Sequence, residues 1–311
     1  MMDYPKFNPV KDPINLRNRV SRFFNAKREF VHSPTPICKG KKDKRQMDID
    51  SLLPDESADV IELSQDNIGI IESPHSSITE FLCLVSQTLP EGDLYLFGGI
   101  LRDLALFGRK GFSSDIDIVV DGDWSLSLPR MIKLGAEKNK FGGLRFYHNK
   151  IPIDIWPANE TWAIKEGHVE YSNVESLLNT TVLNWDAILM NWRTKTFLFV
   201  PNYFEDINNR HMDIVLDKNP NPLGMTVRVL RHLLLKDAQK LSESVFNYLK
   251  NATENYSFDE IKESEVCSYG KSLIHQDIYF SFKKGISSFS DCEQNYFYMI
   301  EQIKNPTRNL F

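Results

Sequence analysis

Apolar residues in this chain follow two rhythms, and each segment keeps to one of them. Helical spacing runs through "SSITEFLCLVSQTLP", which predicts a helix over 77–90, opened by Ser and Thr with Glu80 behind them and stopped by Pro90. The same spacing predicts helices over 100–108 ("ILRDLALFG", ending at Gly108) and 128–139 ("LPRMIKLGAEKN"). It is clearest over 226–251 ("TVRVLRHLLLKDAQKLSESVFNYLKN"). "DEIKESEVCSYGKSLI" and "DCEQNYFYMIEQIKN" predict further helices. Alternating or continuous apolar runs bounded by turn residues predict strands instead: 93–99 running into Gly98-Gly99, 115–123, and two strands within 144–157 joined around Asn149-Lys150. Residues 181–200 mix both signals. Strands and helices of this size, interleaved and then giving way to helix alone, predict an α+β core followed by a helical region.

The first fifty residues show little periodicity. They carry scattered prolines and the basic stretch "KGKKDKRQ", and only "INLRNRVSRFF" (14–24) has the spacing of a short basic amphipathic helix. Residues 51–75 turn acidic. Residues 1–75 are therefore expected to be a loosely structured extension, basic and then acidic. A head follows over 76–205 and a helical neck and C-terminal region over 206–311.

Composition changes this picture little. A chain of 311 residues with 41% hydrophobic content has enough apolar surface for a sizeable core. The net charge of −5 selects no partner by itself, although the first fifty residues hold about twice as many Lys and Arg as Asp and Glu. Four dispersed cysteines with no metal spacing suit a reducing compartment. No apolar run reaches the length of a membrane span and no signal-peptide core opens the chain, so a cytoplasmic protein without membrane contact is expected. Oligomeric state is left open.

The chemistry lies in "LFGGILRDLALFGRKGFSSDIDIVVDGDW" (96–124). One residue separates Asp115 from Asp117, so on a strand both carboxylates face one way, with Ile116 and Ile118 facing the core. Two acids so close repel unless a cation lies between them, and Mg²⁺ with its preference for oxygen ligands fits. Asp154, on a second predicted strand, supplies a third ligand if the strands pair nearby, which gives the carboxylate set used in metal-assisted phosphoryl transfer. Gly98-Gly99, at a strand-to-helix turn, leaves backbone N–H groups facing outward for a triphosphate. Arg102, one turn on, reaches toward a phosphate, and Arg109 with Lys110 adds positive charge. Asp103 is better suited to orienting Arg102 than to binding metal.

The order "GGILRD…GR…DIDIVVDGD" resembles the head domain of tRNA nucleotidyltransferases (CCA-adding enzymes) and bacterial poly(A) polymerases, within the DNA polymerase beta-type nucleotidyltransferase superfamily. That resemblance implies a polymerase beta-like head with a small mixed sheet flanked by helices. It also implies magnesium on Asp115 and Asp117, and a triphosphate on Gly98, Gly99 and Arg102. The chain departs from the family pattern in three places. "FGRKGFSS" lengthens the loop before Asp115. "TTVLNWDA" (180–187) stands for the family's sugar-contacting Arg-Arg-Asp-Phe-Thr-x-Asn-Ala, with Asp186 in place of Asn. "GMTVR" (224–228) stands for Glu-Asp-x-x-Arg, keeping Arg228 and Arg231 as nucleotide-binding candidates but replacing the acidic pair with Gly224-Met225. Half of a base-reading hydrogen-bond template is thereby missing.

The function expected from these residues is Mg²⁺-dependent transfer of a nucleoside monophosphate from an NTP, ATP among them, to a hydroxyl with release of pyrophosphate. The expected acceptor is an RNA 3′ end, tRNA first. About a hundred residues follow the head, fewer than a full CCA-adding enzyme has, and this favours a relative with an altered substrate, toxin-like or defence-associated. Nucleotidylation of a small molecule or a protein is one alternative. A nucleotide-binding regulatory protein without transfer is another.

Overall fold

In the computed structural model, which describes residues 6–25 and 78–288 apart from 88, 90, 91, 113, 134, 140, 141, 149 and 150, the acid-bearing segment is the middle strand of a seven-stranded sheet. The strands are β1 (Asp93–Phe97), β2 (Ile116–Asp121), β3 (Glu137–Lys138), β4 (Leu144–His148), β5 (Ile151–Pro157), β6 (Ile188–Asn191) and β7 (Phe197–Phe199). They lie in the order β3-β4-β5-β2-β1-β6-β7. Only β2 and β5 run parallel; the other neighbours are antiparallel. The sheet is mixed and the fold is α+β, with helices following the sheet in sequence.

Period-two alternation decides the two faces. Ile116, Ile118 and Val120 of β2, with Ile153 and Ile155 of β5, turn to one side and are almost wholly buried. On that side the main core receives α3 (Gly99–Leu106), whose Ile100, Leu101, Leu104, Ala105 and Leu106 are all fully buried. On the opposite face Phe97, Val119 and Leu189 pack under a smaller cluster that includes Val174 and Leu177. Asp117 and Asp154 occupy the same face beyond that cluster.

The basic helix expected near the N-terminus is present as α1 (Pro13–Phe24), capped by Asp12, whose carboxylate accepts from Asn15 N–H at 2.8 Å. It does not lie loose. Leu16, Val20, Phe23 and Phe24 enter the main core. Burial of such side chains is worth about 1.5–3 kcal/mol each. Arg19 donates to Leu104 O and Ala105 O at 2.9 and 3.1 Å and so caps the C-terminal end of α3. α2 (Ile78–Gln87) lies where a helix was expected. The basic stretch 39–46 and the helix expected over 291–305 fall outside the described residues.

Two helices differ from expectation. Instead of 128–139, α4 spans Trp124–Lys133. It starts early because the Asp123 carboxylate accepts from Ser125 N–H at 2.9 Å, and Pro129 lies inside the helix rather than at its start. Gly135, at φ +88°, turns the chain so that 137–138 pair as β3. The continuous helix expected over 226–251 is two: α7 (Pro222–Leu235) and α8 (Glu243–Asn255). Asp237 breaks it in the left-handed region at φ +62°. Ser242 then caps α8, accepting from Val245 N–H at 3.3 Å. Between α3 and α7 the described helices are α5 (Trp162–Lys165) and α6 (Tyr203–Asn209) beside α4.

α9 (Phe258–Tyr269) has a capping box between Ser257 and Glu260, and α10 (Gln276–Ser288) was not expected. Cys267 on α9 is disulfide-bonded, and Cys83 is a free, exposed thiol. Among the described residues no helix is long and apolar enough to cross a membrane.

Candidate active site

Strand register assembles the site. Phe97 of β1 lies opposite Asp117 of β2, Asp117 opposite Asp154 of β5, and Asp154 opposite Arg145 of β4. Directly opposed residues on neighbouring strands share a face. One cross-strand row therefore reads Arg145, Asp154, Asp117, Phe97, and Gly98 follows Phe97 immediately. Two motifs separated in sequence, the glycine turn and the Asp-x-Asp, become neighbours across one hydrogen-bonded strand pair.

Gly98 adopts φ +60°, ψ −114° as the residue before α3, a conformation that side chains disfavour. A Cβ there would also lie 3.4 Å from Asp186 O. The N–H of Gly98 is spent on Ile188 O at 3.0 Å. The outward donors of this turn are consequently the first N–H groups of α3, beginning at Gly99.

The three acids are close but unequally placed. Burial first, and then the carboxylates of Asp115 and Asp154, push the Asp117 carboxyl well above the usual carboxylate range, while Arg228 pulls it down. Asp154 lies beside Asp117, but it is paired. Arg145 Nε donates to Asp154 Oδ1 at 2.8 Å, its Nη2 to Asp154 Oδ2, and the same Nη2 lies 3.9 Å from Asp115 Oδ2. Asp154 with Asp115 in turn raises the Arg145 guanidinium above its ordinary value, chiefly through that side-chain hydrogen bond. Arg145 is a site residue that the sequence reading left out.

Arg102 is 6% exposed and its guanidinium is fully engaged. It ion-pairs with Asp186 and donates to Asp103 Oδ1 at 2.9 Å and to Ser114 Oγ at 2.8 Å. Ser114 Oγ donates to Asp103 Oδ2 at 2.7 Å, and Lys236 Nζ of α7 donates to Asp103 Oδ1 at 2.6 Å. In this arrangement Arg102, with Asp103, holds α3, the loop before β2, the Asn184–Asp186 turn and the end of α7 together. Asp103 orients it, as expected. Against burial, which would raise it, Arg102 is the largest influence holding the Asp186 carboxyl below its ordinary range.

His232, one turn after Arg228 on α7, is a second residue that sequence reasoning missed. Its Nδ1–H donates to Arg228 O at 2.8 Å, which leaves Nε2 as an acceptor, 3.9 Å from Asp186 Oδ2. Both of those atoms are buried and lack a hydrogen-bond partner. Desolvation, with Arg102 next, lowers the His232 imidazole to about 3.

The remaining candidates separate. Arg228 is exposed on α7; although desolvation would lower it, its value is raised by Tyr269, Asp186 and Asp117, so it belongs with the site. Arg231, three residues on, turns to α9, pairing with buried Glu265 and stacking on Tyr269 at 3.9 Å. Arg109 starts a short 3₁₀ turn past the C-terminal end of α3, and an eight-residue helix separates it by about 12 Å from the glycine turn. Lys110 follows it there.

As a metal site the donors are mixed. Asp115 and Asp117 offer the all-oxygen chemistry that a hard divalent cation takes, and half-buried Asp117 stands beside two like charges, with Arg228 as the opposing influence. Asp154 has both oxygens occupied by Arg145. Among the described residues no three His, Cys, Asp or Glu side chains are arranged to hold a metal ion.

Fold and site together define a class: a mixed sheet in which a glycine-turned helix start abuts an Asp-x-Asp strand. No protein-family profile matches the chain, and no curated protein does. Among solved structures it is similar to a CCA-adding enzyme in complex with ATP, with 14% identity over 79% of this chain and 65% of that one and a TM-score of 0.44. It is also similar to the CCA-adding enzyme of Thermotoga maritima complexed with tRNA, with 14% identity, 77% and 65% coverage and a TM-score of 0.42. A third is a tRNA-processing enzyme in an apo form, with 18% identity, 74% and 57% coverage and a TM-score of 0.41. The chain thus spans 57–65% of the length of those proteins. Likenesses this loose concern the course of the chain alone.

Proposed function

We propose that this chain is a Mg²⁺-dependent nucleotidyltransferase, transferring a nucleoside monophosphate from an NTP to an acceptor hydroxyl. The observation that carries the reading is the register that brings Gly98, through Phe97, beside Asp117. Asp115 and Asp117 would hold magnesium, which when bound supplies charge stabilisation at the phosphates and lowers the pKa of the attacking hydroxyl. The first N–H groups of α3 face the triphosphate, and exposed Arg228 supplies the guanidinium beside Asp117. Asp186, fixed by Arg102, stands behind Gly98 to position the sugar end of the nucleotide. The acceptor oxygen bonds to the α-phosphorus, the bond to the pyrophosphate oxygen breaks, and the hydroxyl proton leaves to solvent. The motif resemblance supports an RNA 3′ end as acceptor, tRNA first. It also supports a division into a head over 76–205 and a helical region over 206–311.

The test is incubation of the purified chain with each labelled NTP, Mg²⁺ and total RNA. Label in tRNA supports the proposal, label in protein or small molecules redirects it to another acceptor, and bound nucleotide without transfer overturns it. Asp115→Ala/Asp117→Ala is expected to lower transfer at least 1000-fold, the scale of lost electrostatic stabilisation at a reacting centre.

A further inference from the structure

The acidic row carries its own cation. Asp117 and Asp154 share one sheet face, Asp115 immediately precedes β2, and Arg145 meets Asp154 through two parallel N–H···O contacts while reaching Asp115. Such a fork-on-carboxylate pair is among the strongest that side chains make, and a guanidinium stays charged at any physiological pH. β4 delivers Arg145 by register, directly opposite Asp154, so the contact is built into the hairpin rather than reached by a floppy side chain. Arg145 is committed to Asp154, which leaves Asp115 and Asp117 as the carboxylate pair for one divalent ion.

We propose that Arg145 is a fixed counter-cation that neutralises Asp154 in place of a second divalent ion, so that the chain binds one divalent cation, on Asp115 and Asp117. Arg145 is in this role a positioning residue: it sets the number of ions without touching the reacting atoms. The inference rests on the proposed metal-dependent reading and deepens it.

The test is direct Mn²⁺ binding to the full chain, followed by the electron paramagnetic resonance signal of the free ion, with no nucleotide present. Wild type is expected to bind one ion per chain, and Arg145→Lys likewise. Arg145→Gln and Arg145→Met, checked for native circular dichroism, are expected to bind a second ion, or to bind the first at least tenfold more tightly. Gln keeps a hydrogen bond to Asp154 while losing the charge, so it provides a folded variant if Met does not. Two ions on wild type, or identical isotherms for wild type and the neutral variants, overturn the inference and leave the transferase reading intact. No Mn²⁺ on wild type or any variant overturns both.

Discussion

Asp117 has the most to lose from its surroundings. It is half-buried beside two like charges, and its raised pKa means that the folded chain keeps a proton that the unfolded chain releases. Its contribution to stability is therefore complete below the ordinary carboxylate pKa and is lost as pH rises through the raised value. Asp117→Asn is expected to melt higher than wild type at pH 7–8, by on the order of 1 kcal/mol, and equally at pH 3, while losing transfer. Mg²⁺ should raise the melting temperature of wild type and not of this variant. His232 has the opposite sign. Lowered to about 3 from an ordinary 6.5, it stabilises the fold above pH 6.5, and this is lost as pH falls toward 3. Urea melts of His232→Gln should show a shallower acid-side loss than wild type, by up to about 1.4 kcal/mol per pH unit within that window. Parallel curves would exclude His232 as the source.

At the scale of elements, α7 is oriented by its far end. Lys236, its C-terminal cap, is drawn into the buried Asp103–Arg102–Ser114 network, and the chain then turns at Asp237 so that Leu241 pairs with Met212. This is why a pattern that reads as one helix over 226–251 becomes two. Burial lowers Lys236 to about 8, so it is charged at pH 7. Lys236→Ala should destabilise by roughly 3 kcal/mol, read as a lower urea midpoint, because it leaves buried Asp103 with one cation fewer. The same network fixes where α7 presents Arg228, so nucleotide affinity should weaken with it.

For the whole molecule, α1 at the N-terminal end is part of the fold. Its basic residues were candidates for nucleic-acid contact, yet Arg19 is used on α3 and Arg17 Nε donates to Lys195 O at 3.1 Å. Removing residues 1–25 uncovers the core beneath Leu16, Val20, Phe23 and Phe24. The truncated chain should lose cooperative unfolding by calorimetry, and a sharp transition near the wild-type temperature would contradict this. RNA contact by this arm is better examined at exposed Arg22 than by truncation.

Much of this was legible from residues alone, because the forces involved are local. Alternation on β2 determined that Ile116 and Ile118 face the core while Asp117 faces the opposite side, and the glycine turn after β1 followed from the conformation that only glycine takes easily. Even Arg145 was within reach: a hairpin joined at 149–150 places 148 opposite 151 and hence 145 opposite 154. That register follows from counting along the hairpin alone. Which charges meet was decided by tertiary structure. Arg102 finds Asp186 at a separation of 84 residues, and Lys236 finds Asp103 at 133. No periodicity encodes such pairings, since they depend on which surfaces bury one another when the sheet and the helices close. The chain by itself thus specified the strand, the turn and the acids. The folded core decided that Arg102 holds the site together, that Arg231 serves α9 instead, and that Asp154 already has a cation beside it.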